Sequence, residues 1–230
     1  MSLKSVRKFA KEVLNEENNI DILINNAGVF NHPYMITEDK LEVHMAVNHF
    51  SNFLLTNLFL ERMISSKPSR IIFVNSFFYK SGSFNKNDIN MDFMNSKQFF
   101  KYANSKLANA YFARELDKRI KDFGFSVYTV DPGMVHTQIS RHTTPAWFEL
   151  LLTPVSWLIK TPLEGCRTVL YCAISEELDG VSGNFYRNCA REDWSKVCSD
   201  DDISRKLWDL SEVATRLNDL RDNNNRGLNQ

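Results

Sequence analysis

The segment YANSK places a tyrosine, Tyr102, four positions before a lysine, Lys106, in a stretch with the periodicity of a helix. Residues four positions apart on a helix lie on the same face, one turn from each other. A tyrosine that takes a proton from an alcohol at neutral pH needs a pKa below its ordinary value of about 10, and a nearby ammonium favours the phenolate. The spacing therefore predicts that Lys106 lowers the pKa of Tyr102. Tyr102 would then serve as general acid and base in the interconversion of an alcohol and a carbonyl compound.

Two further polar residues can complete such a site. Ser76 follows a short apolar run, RIIFVNS, and can hold the substrate oxygen near Tyr102 by a hydrogen bond. Asn48 lies in a helical stretch, where its amide can position a water that relays protons to Lys106. Each residue alone also has an ordinary interpretation, as a cap, a solvated helix residue or a surface pair. Their order along the chain, between an NNAG turn and a Pro-Gly turn, favours one common site.

The apolar pattern predicts alternating helices and strands. Because the strands are apolar runs rather than alternating patterns, we expect a parallel sheet covered by helices on both faces. In such a sheet ligands bind beyond the carboxyl ends of the strands, where the NNAG turn, Ser76 and the DPG turn are predicted to meet. The predicted helices are one after a capping Ser2, two stretches over 38–64, one over 100–121, one starting at Pro162 and one over 201–217. The predicted strands are 22–24, 70–76, 125–133 and 183–187.

Three segments fall outside this alternation. The polar segment 80–98 is predicted to be a loop, and its length suggests a functional role. The apolar segment 145–159 has three interpretations: a lid over the substrate, a surface in weak contact with a membrane, or a helix pair packed on the core. Residues 219–230 are predicted to be a disordered tail, which leaves a single domain over 1–218.

Composition excludes several classes of function. Basic and acidic residues are equal in number, 28 each, so net charge gives no reason to expect nucleic acid as a partner. The sequence contains no CxxC or HExxH pattern, which predicts free thiols and no metal site. No run reaches the ~18 apolar residues of a membrane helix. Together with the missing signal-peptide pattern, this favours the cytoplasm or the cytoplasmic face of the endoplasmic reticulum.

The combination of motifs resembles the short-chain dehydrogenase/reductase family. Asn25, Asn26, Ala27 and Gly28 match its NNAG motif, and Asn48, Ser76, Tyr102 and Lys106 match its catalytic tetrad. Pro132 and Gly133 match the turn after the family's sixth strand. The segments YANSKLANAYFARELDKR, KTPLEGCRTVLYCA and SGNFYRNC further resemble the retinol-dehydrogenase branch.

The resemblance implies a Rossmann-like, doubly wound parallel sheet and an NAD(P)-dependent oxidoreductase. Its reaction would interconvert an apolar alcohol and its carbonyl compound, such as retinol and retinal, by hydride transfer. NADP is favoured over NAD by resemblance, and Thr137 would contact the nicotinamide carboxamide. The implied cofactor-binding residues are Asn25, Ala27, Gly28, Tyr102, Lys106, Pro132, Gly133, Val135 and Thr137. The aromatic residues that can line an apolar substrate pocket are Phe77, Phe78, Trp147 and Phe148.

The sequence departs from the family pattern in two places. It contains no TGxxxGxG turn, the motif whose backbone amides hold the cofactor pyrophosphate. We therefore expect the chain to begin near the family's third helix, with the first three strands absent. The edge of strand 21–25 would then be open, to be covered by a second copy or another partner. Asn75 replaces a serine that is common in the family, a change expected to be tolerated.

Two alternatives to the enzyme remain. The first is a truncated isoform or fragment that keeps the catalytic residues but binds no cofactor and acts through partners. The second is a sugar-nucleotide epimerase, which shares the YxxxK pattern. The NNAG motif and the carboxyl half of the sequence argue against the epimerase.

Overall fold

The computed structural model describes residues 2–84, 97–135 and 159–218. These residues form a mixed α/β fold around one five-stranded sheet. The helices are α1 (Leu3–Glu16), a π-helix (Met45–Phe50) that continues into α2 (Ser51–Ser65), α3 (Gln98–Ile120), α4 (Pro162–Ile174) and α5 (Asp201–Thr215). The strands are β1 (Ile22–Asn25), β2 (Ser69–Val74), β3 (Phe125–Asp131), β4 (Asn184–Arg187) and β5 (Ala190–Glu192).

The sheet has the order β1-β2-β3-β4-β5. The first four strands are parallel, as the apolar runs predicted, and β5 pairs antiparallel with β4. The register pairs Asn25 with Phe73, and Asp131 with Arg187. The carboxyl ends of β1 to β4 therefore lie along one edge of the sheet.

Helices cover the sheet on both faces. On one face α1, α2, α3 and α5 share a core with residues such as Phe53, Phe73 and Trp208. On the other face α4 packs over β2, β3 and β4, where Ile72 and Tyr128 are fully buried. Among the strands of the described residues, β1 has a neighbour on one side only, and its Ile22 and Ile24 are both 41% exposed.

Local capping explains where the helices begin. The Ser2 side chain accepts a hydrogen bond from Lys4 N at the start of α1, as predicted. At α4, Thr161 and Glu164 form a capping box around the predicted first-turn Pro162. At α5, the Asp200 carboxylate accepts from the backbone N–H groups of the first turn.

The prediction of two helical stretches over 38–64 is wrong in its bounds. Residues 38–42 are turn and bridge, and one continuous helix runs from Val43 to Ser65. The Glu42 carboxylate accepts hydrogen bonds from the backbone N–H groups of His44 and Met45, at 2.9 and 3.1 Å, which explains the late start. The π-turns inside this helix carry Asn48.

Several predicted features lie wholly or partly outside the described residues. They are most of the apolar segment 145–159, the centre of the predicted loop 80–98 and the tail 219–230. The first two residues of that loop, Lys80 and Ser81, instead end a short 3-10 helix, Phe77–Ser81. Within the described ranges, no helix is both long and apolar enough to cross a membrane.

Candidate active site

Tyr102 and Lys106 lie on one face of α3, turned toward the carboxyl ends of the strands. Both are buried, with 5% and 4% of their surfaces exposed. The Lys106 ammonium Nζ lies 5.7 Å from the centroid of the Tyr102 ring. It donates a hydrogen bond to the carbonyl oxygen of Val74, the last residue of β2, at 2.9 Å. The helix therefore presents both side chains to the edge where ligands bind in parallel sheets.

Ser76 lies where β2 ends and caps the 3-10 helix Phe77–Ser81. Its Oγ accepts a hydrogen bond from Phe78 N at 3.4 Å. A hydrogen-bonding interaction with Ser76 also lowers the pKa of Tyr102. The two residues that the sequence assigns to the substrate oxygen therefore lie beside each other.

The pKa of Tyr102 differs from the prediction. Burial raises the pKa of Tyr102 to about 12, although the hydrogen bond from Ser76 lowers it, and the Asp131 carboxylate raises it further. Burial also lowers the pKa of Lys106 to about 8, against the opposing effect of Asp131. The reason for the difference is that desolvation disfavours both charged forms, and that Lys106 Nζ points to the Val74 carbonyl.

The Asn48 amide makes hydrogen bonds to protein groups, and its role in positioning a water stays a prediction. Its Oδ1 accepts from Val29 N at 2.7 Å, and its Nδ2 donates to Val29 O at 2.9 Å. Nδ2 also donates to Ser105 Oγ at 2.8 Å, and Ser105 in turn donates to the Tyr102 carbonyl at 2.7 Å. Asn48 therefore ties the loop after β1 to α3, through a serine within YANSK that the sequence reasoning missed.

An aromatic wall stands beside Tyr102. The Phe30 ring packs edge-on against Tyr102 with centroids 4.7 Å apart, and Phe78 lies 6.5 Å away in a similar orientation. Phe77, also predicted to line the pocket, is 46% exposed and lies under the cations of Lys80 and Arg187. The other two predicted pocket residues, Trp147 and Phe148, lie outside the described residues. Phe30 has no spacing signal that points to this position.

The NNAG turn follows β1. Asn25 donates to Thr56 Oγ1 at 2.9 Å, while its own Oδ1 has no hydrogen-bond partner. Ala27 lines a cleft of about 200 Å³ next to the first turn of α1. Gly28 lies close to the tetrad, because a Cβ on it would be 3.3 Å from Asn48 Oδ1 and 3.6 Å from Lys106 Nζ.

The Pro132–Gly133 turn follows β3. Gly133 has a φ of +82°, a backbone conformation that favours glycine. Lys160 Nζ donates to the Pro132 carbonyl at 3.0 Å and to Asn188 Oδ1 at 2.7 Å. Val135 forms a parallel bridge with Lys160. The turn is thus held by a lysine that no motif indicated; the implied carboxamide contact Thr137 lies outside the described residues.

Asp131, the last residue of β3, is another residue that the sequence reasoning missed. It is 2% exposed, and its Oδ1 accepts from Gly133 N at 2.9 Å. Its Oδ2 lies 3.6 Å from Arg187 Nε and makes no hydrogen bond. The one sequence signal is its place before Pro132–Gly133, since aspartates often bond the backbone of a following turn.

Unpartnered polar atoms gather near this edge of the sheet. Buried side-chain atoms normally have a hydrogen-bond partner, so a group of exceptions indicates a place where a ligand can bind. Within the described ranges, four such atoms belong to the carboxyl ends of the strands or to residues near them: Asn25 Oδ1, Asn75 Nδ2, Thr129 Oγ1 and Asp131 Oδ2.

Comparison with known proteins agrees with these motifs. The family model for short chain dehydrogenase matches residues 1–146. Retinol dehydrogenase 14 of Homo sapiens is 46% identical over 218 residues, which cover 94% of this chain and 65% of that protein. Retinol dehydrogenase 11 of Mus musculus is 41% identical over 213 residues, which cover 90% of this chain and 65% of that protein. The chain thus spans just under two thirds of the length of these relatives.

Solved structures share the fold. An uncharacterized protein of Mycobacterium paratuberculosis superposes with a TM-score of 0.71 at 27% identity, over 94% of this chain and 72% of its own. A short-chain dehydrogenase/reductase of Serratia marcescens superposes with a TM-score of 0.60 at 21% identity, over 81% of this chain and 71% of its own. The second likeness concerns the fold alone. The family model, by contrast, matches more than half of the chain, which therefore belongs to the short-chain dehydrogenase family.

Proposed function

We propose that the protein is an NAD(P)-dependent oxidoreductase that interconverts an apolar alcohol and its carbonyl compound. One observation carries the proposal: the buried Tyr102 faces Ser76 at the end of β2 and lies one helical turn from the Lys106 ammonium, whose Nζ is 5.7 Å from the centre of its ring. A proton donor, a second hydroxyl and a cation around one point can hold a carbonyl oxygen and protonate it.

The residues have separate tasks in this proposal. Ser76 holds the substrate oxygen, and Tyr102 exchanges a proton with it. The pKa of Tyr102, raised by burial to about 12, keeps the phenol protonated at neutral pH, the form that donates to a carbonyl. Lys106 places a positive charge beside the phenolate that remains after donation. Asn48 holds the loop after β1 in place through Val29.

The residues present fit the nicotinamide half of a dinucleotide. Gly28 and Gly133 leave room where a side chain would meet Lys106 or Lys160, and Asn25 Oδ1 offers a free acceptor near the same edge. When bound, NAD(P) would supply or accept the hydride, and we favour NADP because of the resemblance. The residues that would hold it are Asn25, Ala27, Gly28, Tyr102, Lys106, Pro132, Gly133, Val135 and Thr137.

The substrate proposed is a retinol- or retinal-like compound. The rings of Phe30 and Phe78 form an apolar wall at Tyr102, which suits a long unsaturated chain more than a polar sugar. The curated relatives bear the name retinol dehydrogenase, which supports the same choice. We further propose that the sheet has a Rossmann-like, doubly wound arrangement.

A second candidate is a chain that does not catalyse but associates through β1. The exposed Ile22 and Ile24 on a strand paired on one side favour this alternative, because such an edge can pair with a second copy of the chain. It would keep the tetrad without binding NADPH or NADH.

One experiment separates the two candidates. NADPH and NADH binding is measured by cofactor fluorescence on the purified 230-residue chain, together with retinal reduction by the wild type, Tyr102→Phe and Tyr111→Phe. Tyr111 is a matched control, since it is buried on the same helix and its hydroxyl donates to Val197 O at 2.7 Å, away from the tetrad.

We expect micromolar cofactor binding, and retinal reduction that falls about 100-fold or more in Tyr102→Phe and by less than about threefold in Tyr111→Phe. A folded chain that binds neither cofactor would favour the non-catalytic candidate. Equal losses in both variants would remove Tyr102 from its assigned role.

A further inference from the structure

A buried carboxylate stands at the end of β3, outside the predicted tetrad. Asp131 is 2% exposed, and its Oδ1 accepts a hydrogen bond from Gly133 N. Its second oxygen, Oδ2, is buried and has no hydrogen-bond partner among the residues that the structure describes. A carboxylate that only capped the turn would not need a negative charge, because the amide oxygen of an asparagine accepts the same bond.

Charged and titratable groups face Asp131 from every element around it. From β4, the Arg187 guanidinium lies at 3.6 Å, and its side chain is 35% exposed. From α3, the Lys106 ammonium reaches the carbonyl of Val74, whose register partner Val130 directly precedes Asp131. At this position the carboxylate raises the pKa of both Lys106 and Tyr102. On the 3-10 helix Phe77–Ser81, the pKa of Tyr79 is also raised by the Asp131 carboxylate. Lys160 holds the turn next to Asp131 through the Pro132 carbonyl.

We propose that Asp131 is a positioning residue, whose buried negative charge holds Tyr102 as a neutral phenol and Lys106 as an ammonium. The partial exposure of Arg187 matters, because water screens its positive charge and leaves part of the carboxylate field uncompensated. A charge acts over several ångströms in a buried environment, so Asp131 needs no direct bond to either residue.

The consequence for catalysis rests on the function proposed above. Carbonyl reduction consumes the phenol proton of Tyr102, which burial already retains at neutral pH and whose loss Asp131 disfavours further. Alcohol oxidation begins from the phenolate, which Asp131 disfavours. The pH profile of oxidation is therefore expected to lie higher than it would without this carboxylate.

The first test follows the ionisation of Tyr102 without any cofactor. The chain is labelled with tyrosine carrying ¹³C at Cζ, and the Tyr102 resonance is assigned by its loss in Tyr102→Phe. In Asp131→Asn, which keeps the acceptor for Gly133, we expect the Tyr102 titration to begin about half a pH unit or more below the wild type. Asp179→Asn is the control: it removes a carboxylate that is 70% exposed and paired with Arg70, and its curve should coincide with the wild type.

A second variant protects the test against misfolding of Asp131→Asn. Arg187→Gln removes the cation that faces Asp131, so the carboxylate field on Tyr102 becomes stronger and the titration should move to higher pH. Shifts in opposite directions in the two variants support the proposal. Coincident curves in Asp131→Asn and the wild type, or a downward shift in Arg187→Gln, would overturn it and leave Asp131 as a cap of the turn.

A kinetic test separates this inference from the proposed function. In an active chain, the rise of kcat/KM for retinol oxidation with pH should move to lower pH in Asp131→Asn and stay in place in Asp179→Asn. An unmoved kinetic profile would refute the catalytic consequence. If the Tyr102 resonance shifts but no variant or wild type oxidises retinol, the proposed function fails while the coupling to Asp131 stands.

Discussion

Two clusters of buried polar side chains meet on α3, and they differ in how completely their atoms are paired. Around His49, Nδ1 bonds Asn109 Oδ1 at 3.2 Å and Nε2 bonds Ser211 Oγ at 2.8 Å. Asn109 also donates to the Asn48 carbonyl at 2.7 Å. At the strand ends, by contrast, atoms such as Asp131 Oδ2 have no hydrogen bond. We call the first cluster closed, because the atoms named here are hydrogen-bonded, and the second open, because some of its buried atoms have no partner among the described residues.

The difference separates packing from chemistry. A fully paired network fixes the helices against each other and offers a ligand nothing. A network with unpaired atoms lowers the stability of the fold, because each unpaired buried atom costs about 1–3 kcal/mol. Such a network is expected where a ligand supplies the missing hydrogen bonds. Burial shifts a pKa in both clusters, that of His49 to about 4 and that of Lys106 to about 8. The comparison therefore predicts that the open cluster governs activity and the closed one stability.

The largest effect is expected for Lys106→Met. Retinal reduction should fall about 100-fold or more, because the cation beside Tyr102 is lost. The folded protein releases the Lys106 proton near a pKa of 8, against an ordinary value of 10.5, so the wild type gains stability as pH rises between these values. Relative to Lys106→Met, that gain should be on the order of 3 kcal/mol, measured by urea unfolding.

The control for this prediction is Lys118→Met. Lys118 is on the same helix, with a side chain 44% exposed and an ion pair to Asp201. Its loss should leave both the activity and the pH slope unchanged. A Lys106→Met variant that keeps the wild-type slope would show that the buried ammonium is not the titrating group.

The closed cluster around His49 should make the stability of the protein depend on pH in acid. Burial lowers the pKa of His49 from 6.5 to about 4, so the unfolded chain binds this proton first as pH falls. The stability from neutral His49 is complete above pH 6.5 and is lost on the way to pH 4, by about 3 kcal/mol. Urea unfolding of His49→Gln between these pH values should show a flatter slope than that of the wild type. Equal slopes in the two proteins would contradict the assignment.

Alanine substitutions at Gly82 and Gly28 are expected to affect stability and activity differently. An alanine Cβ at Gly82 would be 2.9 Å from the Ala103 carbonyl, a backbone atom that cannot easily move, so Gly82→Ala should cost about 1–3 kcal/mol of stability. At Gly28 the nearest atom is Asn48 Oδ1 at 3.3 Å, which needs only a small shift. Gly28→Ala should therefore unfold near the wild-type urea concentration yet lower kcat/KM, since the tetrad moves. A Gly28→Ala variant with normal kcat/KM would place this turn outside the site.

The sequence predicted what depends on local periodicity. The caps at Ser2 and Pro162, the four parallel strands and the shared face of Tyr102 and Lys106 each follow from spacing within about one helical turn or one strand. Strand β5 escaped prediction because its three residues carry no apolar pattern and are mostly exposed.

The electrostatics of the site depend on contacts between distant parts of the chain. The pKa of Tyr102 is set by burial, to which Phe30 contributes from the loop after β1, and by Asp131 from β3. Lys160 reaches Pro132 across 28 positions. Spacing within one helix gives no information about these contacts. The sequence therefore predicted the pair Tyr102 and Lys106 correctly but predicted a lowered pKa for Tyr102, which burial raises.

The smallest effect expected concerns Thr129, which tests whether every open atom at the strand ends belongs to the site. Its Oγ1 is buried without a partner, but it lies between Phe73 and Phe185, its register partners, two residues before the end of β3. Because valine has the same shape without the hydroxyl, Thr129→Val should raise the free energy of unfolding by up to about 1 kcal/mol and leave kcat/KM within about threefold.

Thr168→Val is the matched substitution for this last comparison. The Thr168 hydroxyl accepts a hydrogen bond from Cys189 N at 3.2 Å, so its removal should lower stability by about 1 kcal/mol. Opposite signs for the two threonines would place Thr129 below the site, as part of the sheet core. If Thr129→Val instead weakens NADPH binding, the open cluster includes Thr129, two residues before the end of β3. Its hydroxyl would then be available to a ligand.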